Sequence, residues 1–268
     1  DKFKAYRAAG INRLSMGLQS SNDRELKALS RLHTYDEFLR CFDAGRNAGF
    51  DNINLEIMSA IPGQSVSSYE KTLERIVKIN PEHISAYSLI IEEGTPFFDR
   101  YGDGKGLPTE DEDREMYALT RDYLADFGYS RYEISNYAKP GRECRHNISY
   151  WQRRPYVGFG IAAASLYGEK RYMKHKDLDR YLRGDFTEEE ETLTETDSME
   201  EFMFLGLRLT KGVSLAEFTK TFGSTVEQEY PGVLRKLSGE GLITVTDRVA
   251  LTEKGMDLAN YCMSEFIK

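Results

Sequence analysis

Between Ile11 and Ile91 the spacing of apolar residues switches repeatedly between a period of two and a period near four, which restricts the chain to a small set of folds. Ile11 to Leu18, Asn52 to Met58 and His83 to Ile91 have the two-residue period of strands. Between them, Phe38, Cys41 and Phe42, and then Tyr69, Leu73, Ile76 and Val77, mark single faces of helices. Gly10 stops a first helix, and Ser20 and Ser21 offer a cap for a short helix carrying Leu26 and Leu29. Thr34 with Glu37 and Ser67 with Glu70 have capping-box spacing, and Gly49, Pro62-Gly63 and Pro81 break the chain. Strands alternating with such helices form parallel βαβ units, as in a (β/α) barrel, where chemistry gathers at the C-terminal strand ends. Here those ends are Gln19-Ser20, Ser59 to Gln64 and Ile90 to Thr95, all polar or rich in Gly and Pro.

Beyond a Gly/Asp-rich loop at 99–108, Met116, Leu119, Tyr123, Leu124 and Phe127 predict a helix, and Tyr129 to Tyr137 a strand. Gly158 to Leu166 is expected to be a tightly packed strand or turn, and the acidic run Glu188 to Glu191 a solvated linker at a domain boundary. From there the pattern is helical, with capping-box spacing at Ser198/Glu201 and Ser214/Glu217. Two short strands around Asp247-Arg248 follow, in a winged-helix outline. The expected domains are therefore 1–186 and 187–268.

Charge narrows the partners. The net charge is −8, and residues 195–268 hold twelve acidic against eight basic side chains, which excludes nucleic acid as the partner of a winged helix that must neutralise phosphates. No apolar run approaches membrane-spanning length, so no integral membrane segment is expected. Three dispersed cysteines, Cys41, Cys144 and Cys262, make neither a disulfide framework nor a metal-ligand motif. No metal site and a reduced, cytoplasmic setting are expected.

The string Gly10-Ile-Asn-Arg-Leu-Ser-Met-Gly-Leu-Gln19-Ser20 resembles a strand of the radical-SAM family that contains HemW and the oxygen-independent coproporphyrinogen III oxidases. The resemblance continues in order through Arg31 in Leu-Ser-Arg-Leu-His and Asn54 to Gln64. It then runs through His83 to Leu89 with Glu92 to Pro96, Arg131 to Tyr137, and Cys144 to Trp151, spanning about residues 5–260. His146-Asn147-x-x-Tyr150-Trp151 is similar to the HemW branch in particular.

The resemblance implies the C-terminal half of a radical-SAM partial (β/α)6 TIM-like barrel, followed by a small winged-helix-like α+β domain. It implies S-adenosylmethionine (SAM) and a [4Fe-4S] cluster as cofactors of the full-length protein. By position it implies Gln19, Arg31 and Glu56 as SAM-binding residues, with Ile90 and Ala164 adding apolar or backbone contact. Arg31 suits a carboxylate, and Glu56 suits ribose hydroxyls or an ammonium. Glu56 stands where the family's strand carries Asp, and Ser59-Ala60 where its turn carries Tyr-Gly. The CxxxCxxC segment that holds the cluster is absent from this sequence, so the chain is expected to be a fragment without catalytic residues for radical chemistry.

For His146 the resemblance implies haem binding, and a neutral imidazole is a good axial ligand. The same residues could instead cap a turn beneath a core Trp151. His33, His83 and His175 lack a second ligand at useful spacing and are expected to be structural or superficial. Three functions fit: a haem chaperone with an unknown acceptor and electron donor, a coproporphyrinogen III oxidase, or a non-catalytic interaction module. Half a barrel would also leave Ile11 to Gln19 as an open edge, through which a homodimer is expected.

Overall fold

The computed structural model describes residues 1–268, which divide into two compact units, Asp1–Glu143 and Cys144–Lys268. The acidic run at which the sequence suggests a boundary lies inside the second unit. No helix is long and apolar enough to cross a membrane.

The first unit runs α1 (Lys2–Ala8), β1 (Leu14–Gln19), α2 (Asp23–Ala28), α3 (Tyr35–Asn47), β2 (Ile53–Ser59), α4 (Val66–Ile79) and β3 (His83–Ser88). It continues with α5 (Pro96–Tyr101), α6 (Glu110–Asp126), β4 (Ser130–Glu133) and β5 (Asn136–Ala138). The strands form one sheet in the order β1-β2-β3-β5-β4. β1, β2 and β3 are parallel, as the βαβ alternation requires, and β1 is an edge strand. The single strand expected over Tyr129 to Tyr137 is instead an antiparallel hairpin, because Ile134-Ser135 turns the chain back on itself.

One face of this sheet is apolar. Leu18, Ile53, Leu55, Ile57 and Ile84 are buried against Phe38, Phe42, Tyr69, Leu73, Ile76, Met116 and Leu124 of α3, α4 and α6. Burying one such side chain contributes about 1.5–3 kcal/mol before the ordering cost. The capping box predicted at Thr34/Glu37 forms. The one expected at Ser67/Glu70 lies two residues upstream, at Ser65/Ser68, because α4 starts as soon as the Pro62-Gly63 turn is complete. Asn22, not Ser20 or Ser21, caps α2.

The second unit runs α7 (Arg145–Trp151), β6 (Ala164–Tyr167), β7 (Lys170–Lys174), α8 (Leu178–Leu182), β8 (Thr187–Thr192) and α9 (Glu195–Gly206). Then come β9 (Val213–Ser214), α10 (Leu215–Phe222), α11 (Val226–Glu229), α12 (Pro231–Gly239), β10 (Ile243–Val245), β11 (Arg248–Leu251), α13 (Glu253–Asp257) and α14 (Ala259–Ser264). The linker expected at Glu188 to Glu191 is strand β8, antiparallel to β7. Its side chains are all exposed, as a charged run demands, but Lys170 and Arg171 of β7 pair with Glu190 and Glu191 across the ladder.

Helices α9, α10 and α12 with the sheet β10-β11-β9 make the winged-helix outline. Phe202, Phe218, Phe222, Tyr230 and Phe266 meet mostly edge to face at its centre. Helix α9 begins at a Thr194/Asp197 capping box, four residues before the one expected at Ser198/Glu201. Those two residues are consequently inside the helix and buried, with Glu201 between the guanidinia of Arg153 and Arg171.

Candidate functional site

Strand alternation gives the first unit's sheet a second, polar face. While Ile53, Leu55 and Ile57 enter the core, Asn54, Glu56 and Met58 point the other way, beside Ser15 and Gly17 of β1 and His83 and Ser85 of β3. These side chains form a continuous hydrogen-bonded row. Ser15 Oγ donates to Glu56 Oε1 at 2.8 Å, and Asn54 Nδ2 donates to Ser15 Oγ at 2.7 Å. Asn54 Oδ1 therefore faces His83 Nδ1 at 2.6 Å and accepts its proton, which leaves His83 Nε2 to accept from the Tyr132 hydroxyl at 2.8 Å. A branch runs from Ser85 Oγ to Asn136 Oδ1, and Asn136 Nδ2 donates to the buried Glu133. Burial, with the Arg13 charge nearby, lowers the His83 pKa to about 3, so this histidine is a neutral link in the row.

The C-terminal strand ends are more constrained. Gln19 and Ala60, which follow the last core residues of β1 and β2, both have positive φ, at 68° and 57°. Such backbone is uncommon for residues with a Cβ and persists only where surrounding contacts enforce it. Gln19 is buried and folded against Gly17. A methyl group on Gly17 would stand 2.6 Å from Gln19 Nε2 and 3.8 Å from Glu56 Oε2. The glycine thus leaves the space beside which the Gln19 amide and the Glu56 carboxylate lie.

Two acids hold the loops around this edge. Glu25 of α2 is buried and accepts from Ser20 Oγ, Asn22 Nδ2, Gln64 Nε2 and Ser68 Oγ at 2.6–3.2 Å, joining the β1–α2 loop to the β2–α4 loop. Asp113 of α6 accepts from Ser59 Oγ at 2.9 Å and Ser88 Oγ at 2.8 Å, joining the ends of β2 and β3. Beside them, Arg31, Met58, Ile90 and Phe97 line a depression of about 260 Å³ together with Leu29, Leu89, Glu92 and Thr95. The Arg31 side chain makes no hydrogen bond or ion pair within the chain.

Of the residues expected to bind SAM, Gln19 and Glu56 both border Gly17, and Arg31 and Ile90 share the neighbouring depression. Ala164 belongs to the second unit, in β6. The row through Asn54, His83 and Ser85, and the ties made by Glu25 and Asp113, were not singled out from the sequence. Polar residues alternating with core positions in β2 and β3 are the signal that could have found the row; nothing local marks Glu25 or Asp113. As expected for structural histidines, His83 and His175 are buried, His175 beside Asp185 at 3.2 Å.

The donor set fits a zwitterionic nucleoside such as SAM: a carboxylate and an amide beside Gly17, and an unpaired guanidinium in the neighbouring depression. It does not fit an iron–sulfur cluster. Cys41 is exposed on α3, Cys144 and Cys262 are buried in the second unit, and no group of three or more potential ligands could hold a metal ion.

In the second unit, His146 is exposed on α7, its ring edge-on to Tyr150 at 4.8 Å, and Tyr150 in turn is edge-on to Tyr156 at 4.7 Å. His146 and Asn147 do not cap a turn, because Cys144 is the N-cap and both lie inside the helix. Trp151 is half-buried, with the Arg208 guanidinium 4.3 Å over its ring.

The model of the radical SAM superfamily matches residues 1–76, and that of the HemN C-terminal domain matches residues 193–258. The chain is 34% identical over 274 residues to the heme chaperone HemW of Bacillus subtilis, covering 100% of this chain and 72% of that protein. It is 34% identical to the HemW of Lactococcus lactis (99% and 71% covered) and 30% identical to that of Escherichia coli (100% and 71% covered). Among solved structures, coproporphyrinogen III oxidase (HemN) of Escherichia coli, a radical SAM enzyme, superposes with a TM-score of 0.84 at 20% identity. That match covers 100% of this chain and 67% of that one. The architecture is thus the TIM-like radical-SAM fold with a HemN-type C-terminal domain, its sheet here mixed and open.

Proposed function

Since this chain belongs to the HemW family of radical-SAM proteins, we propose that it is a haem chaperone, binding haem and passing it to an acceptor protein. The observation that carries the reading is His146. It is an imidazole at the surface of α7, held edge-on by Tyr150 and reachable by a metal centre from solvent. A neutral imidazole nitrogen is a strong ligand for haem iron, and an exposed ligand suits a cargo that must leave again. In a haemin titration the chain should develop a Soret band at a new position. His146→Ala should weaken binding by about tenfold, the size of one lost coordinating contact. An unchanged titration in that variant would refute the assignment of His146.

In the same reading, the first unit binds SAM. Arg31 would take the methionyl carboxylate, Glu56 the ribose hydroxyls or the ammonium, and Gln19 would donate and accept beside them, with Ile90 as an apolar wall. Ser15 and Asn54 hold the Glu56 carboxylate in place, and neutral His83 holds Asn54. Radical cleavage of SAM needs an iron–sulfur centre, and these residues do not supply one.

A further inference from the structure

Several cations of the second unit are paired. Arg153 and Arg171 meet Glu201, Lys170 meets Glu190, Arg180 meets Asp185, Lys236 meets Glu265 and Lys268 meets Glu229. In one place, cations without an ion pair gather around a cavity. A pocket of about 350 Å³ is bordered by Arg154, Lys211, Lys220 and Arg248, with Trp151 and Phe202 in its wall. Arg154, Lys211 and Lys220 are exposed and make no ion pair. Arg248 donates from Nε to the Lys211 carbonyl at 2.6 Å and from Nη2 to the Gly212 carbonyl at 2.7 Å, which fixes the β9-side rim. Glu217 is the single acid in the lining. Lys211, Lys220 and Arg248 are three of only eight basic residues in 195–268, a stretch with twelve acids.

Four cations against one acid, in an otherwise acidic domain, focus a positive potential on one concavity. The Trp151 indole N–H is shielded from solvent and has no hydrogen-bond acceptor, a donor that natural proteins rarely leave unmatched. Guanidinium and ammonium groups around an aromatic wall recognise carboxylates carried on a flat apolar body, by charge at the rim and stacking below.

We infer that this pocket binds the carboxylate-bearing edge of a planar aromatic ligand of the tetrapyrrole class. The size fits such an edge, since pockets that enclose a whole small ligand begin at about 300 Å³ and extend well above it. The inference rests on the haem-chaperone reading for its ligand and deepens it. It gives the propionates of the cargo a site that His146 does not provide, and α7 supplies both His146 and Trp151.

Trp151 is the single tryptophan of the chain, so its emission reports on the pocket. The probe is mesoporphyrin IX, iron-free and therefore independent of ligation by His146, titrated beside its dimethyl ester. Saturable quenching by the diacid is expected. It should weaken at least tenfold for the ester, for Arg154→Glu/Lys211→Glu/Lys220→Glu, and on raising the salt. These three side chains are exposed, so the variant should fold; the ester comparison needs no variant at all. Equal binding of diacid and ester, an unaffected triple variant, or no binding of the diacid would each overturn the inference. A His146-dependent haemin titration in the same preparation separates the two readings. Haemin bound without a role for the pocket charges leaves the chaperone reading standing and removes this one. Diacid bound through the charges with no haemin binding does the reverse.

Discussion

Glu25 in the first unit and Glu201 in the second are both buried carboxylates, and the two regions keep them by opposite means. Glu25 is held by neutral donors, three from side chains of serine and glutamine and one from asparagine, drawn from two loops. Glu201 is held by two guanidinia, with Arg153 also donating to Ser198. Neutral donors leave the carboxylate's charge in place but fix its position through many short bonds. Two guanidinia neutralise it directly, and Arg171 is shared with Glu191. The first unit is accordingly a frame in which polar groups satisfy one another, from Glu25 through Asp113 to the Ser15–Asn54–His83 row. The second keeps charge and donors in reserve at its surface, in His146, Arg154, Lys211 and Lys220. A frame suits positioning a small ligand; a surface with unspent donors suits capturing and releasing a large one.

The strongest way to break the comparison is to delete both acids. Glu25→Ala should cost about 4 kcal/mol, because several buried donors lose their acceptor together. Glu201→Ala should cost about 3 kcal/mol, less because Arg171 is partly exposed and can turn to water and to Glu191. In urea denaturation, high salt should shrink the second loss and leave the first nearly unchanged. The opposite salt dependence would show that the two sites are not held as described.

Next is the pH response of the row. His83 has a folded-state pKa of about 3, below the ordinary value of about 6.5 that it regains on unfolding. The unfolded chain therefore binds a proton that the native chain does not. The His83 contribution is fully present above about pH 6.5 and is lost as pH falls towards 3, at about 1.4 kcal/mol per pH unit. Denaturation midpoints followed from pH 7 to pH 4 should show this slope, and His83→Gln should remove it. A slope that survives the substitution belongs to other groups.

A smaller effect on stability is expected at Gly17. The new methyl of Gly17→Ala meets only the end of the Gln19 side chain, so stability should fall by about 1 kcal/mol or less. Displacing the Gln19 amide should nonetheless weaken SAM binding by calorimetry about tenfold, the worth of one well-placed polar contact. Unchanged SAM affinity would detach Gln19 from the site.

The smallest effect is association. The free edge of β1, with Leu14, Met16, Phe38 and Cys41 lining an apolar groove of about 400 Å³ beside it, should pair copies of this chain at high concentration. Light scattering that gives a monomer mass at every concentration would contradict this.

What the sequence alone determined is local. The stop at Gly10, the Thr34/Glu37 box, the apolar faces of α3, α4 and α6 and the hairpin around Asp247-Arg248 all depend on residues within about four positions of one another, which the chain carries wherever it folds. The ordered strings also point to Gln19, Arg31, Glu56 and His146 as the residues to test. What only the tertiary structure decided depends on register. Asn54 reaches Ser15 and His83 because β1, β2 and β3 align Ser15 with Asn54 and Asn54 with His83. Glu25 is satisfied by Gln64 and Ser68, about forty residues away in the chain. The turn at Ile134-Ser135 and the pairing of the acidic run with β7 are likewise choices between near-equal local options. A lone strand of glutamates is unfavourable in water, and it becomes a strand here because Lys170 and Arg171 lie across the ladder from it, a fact that exists only once the chain has folded.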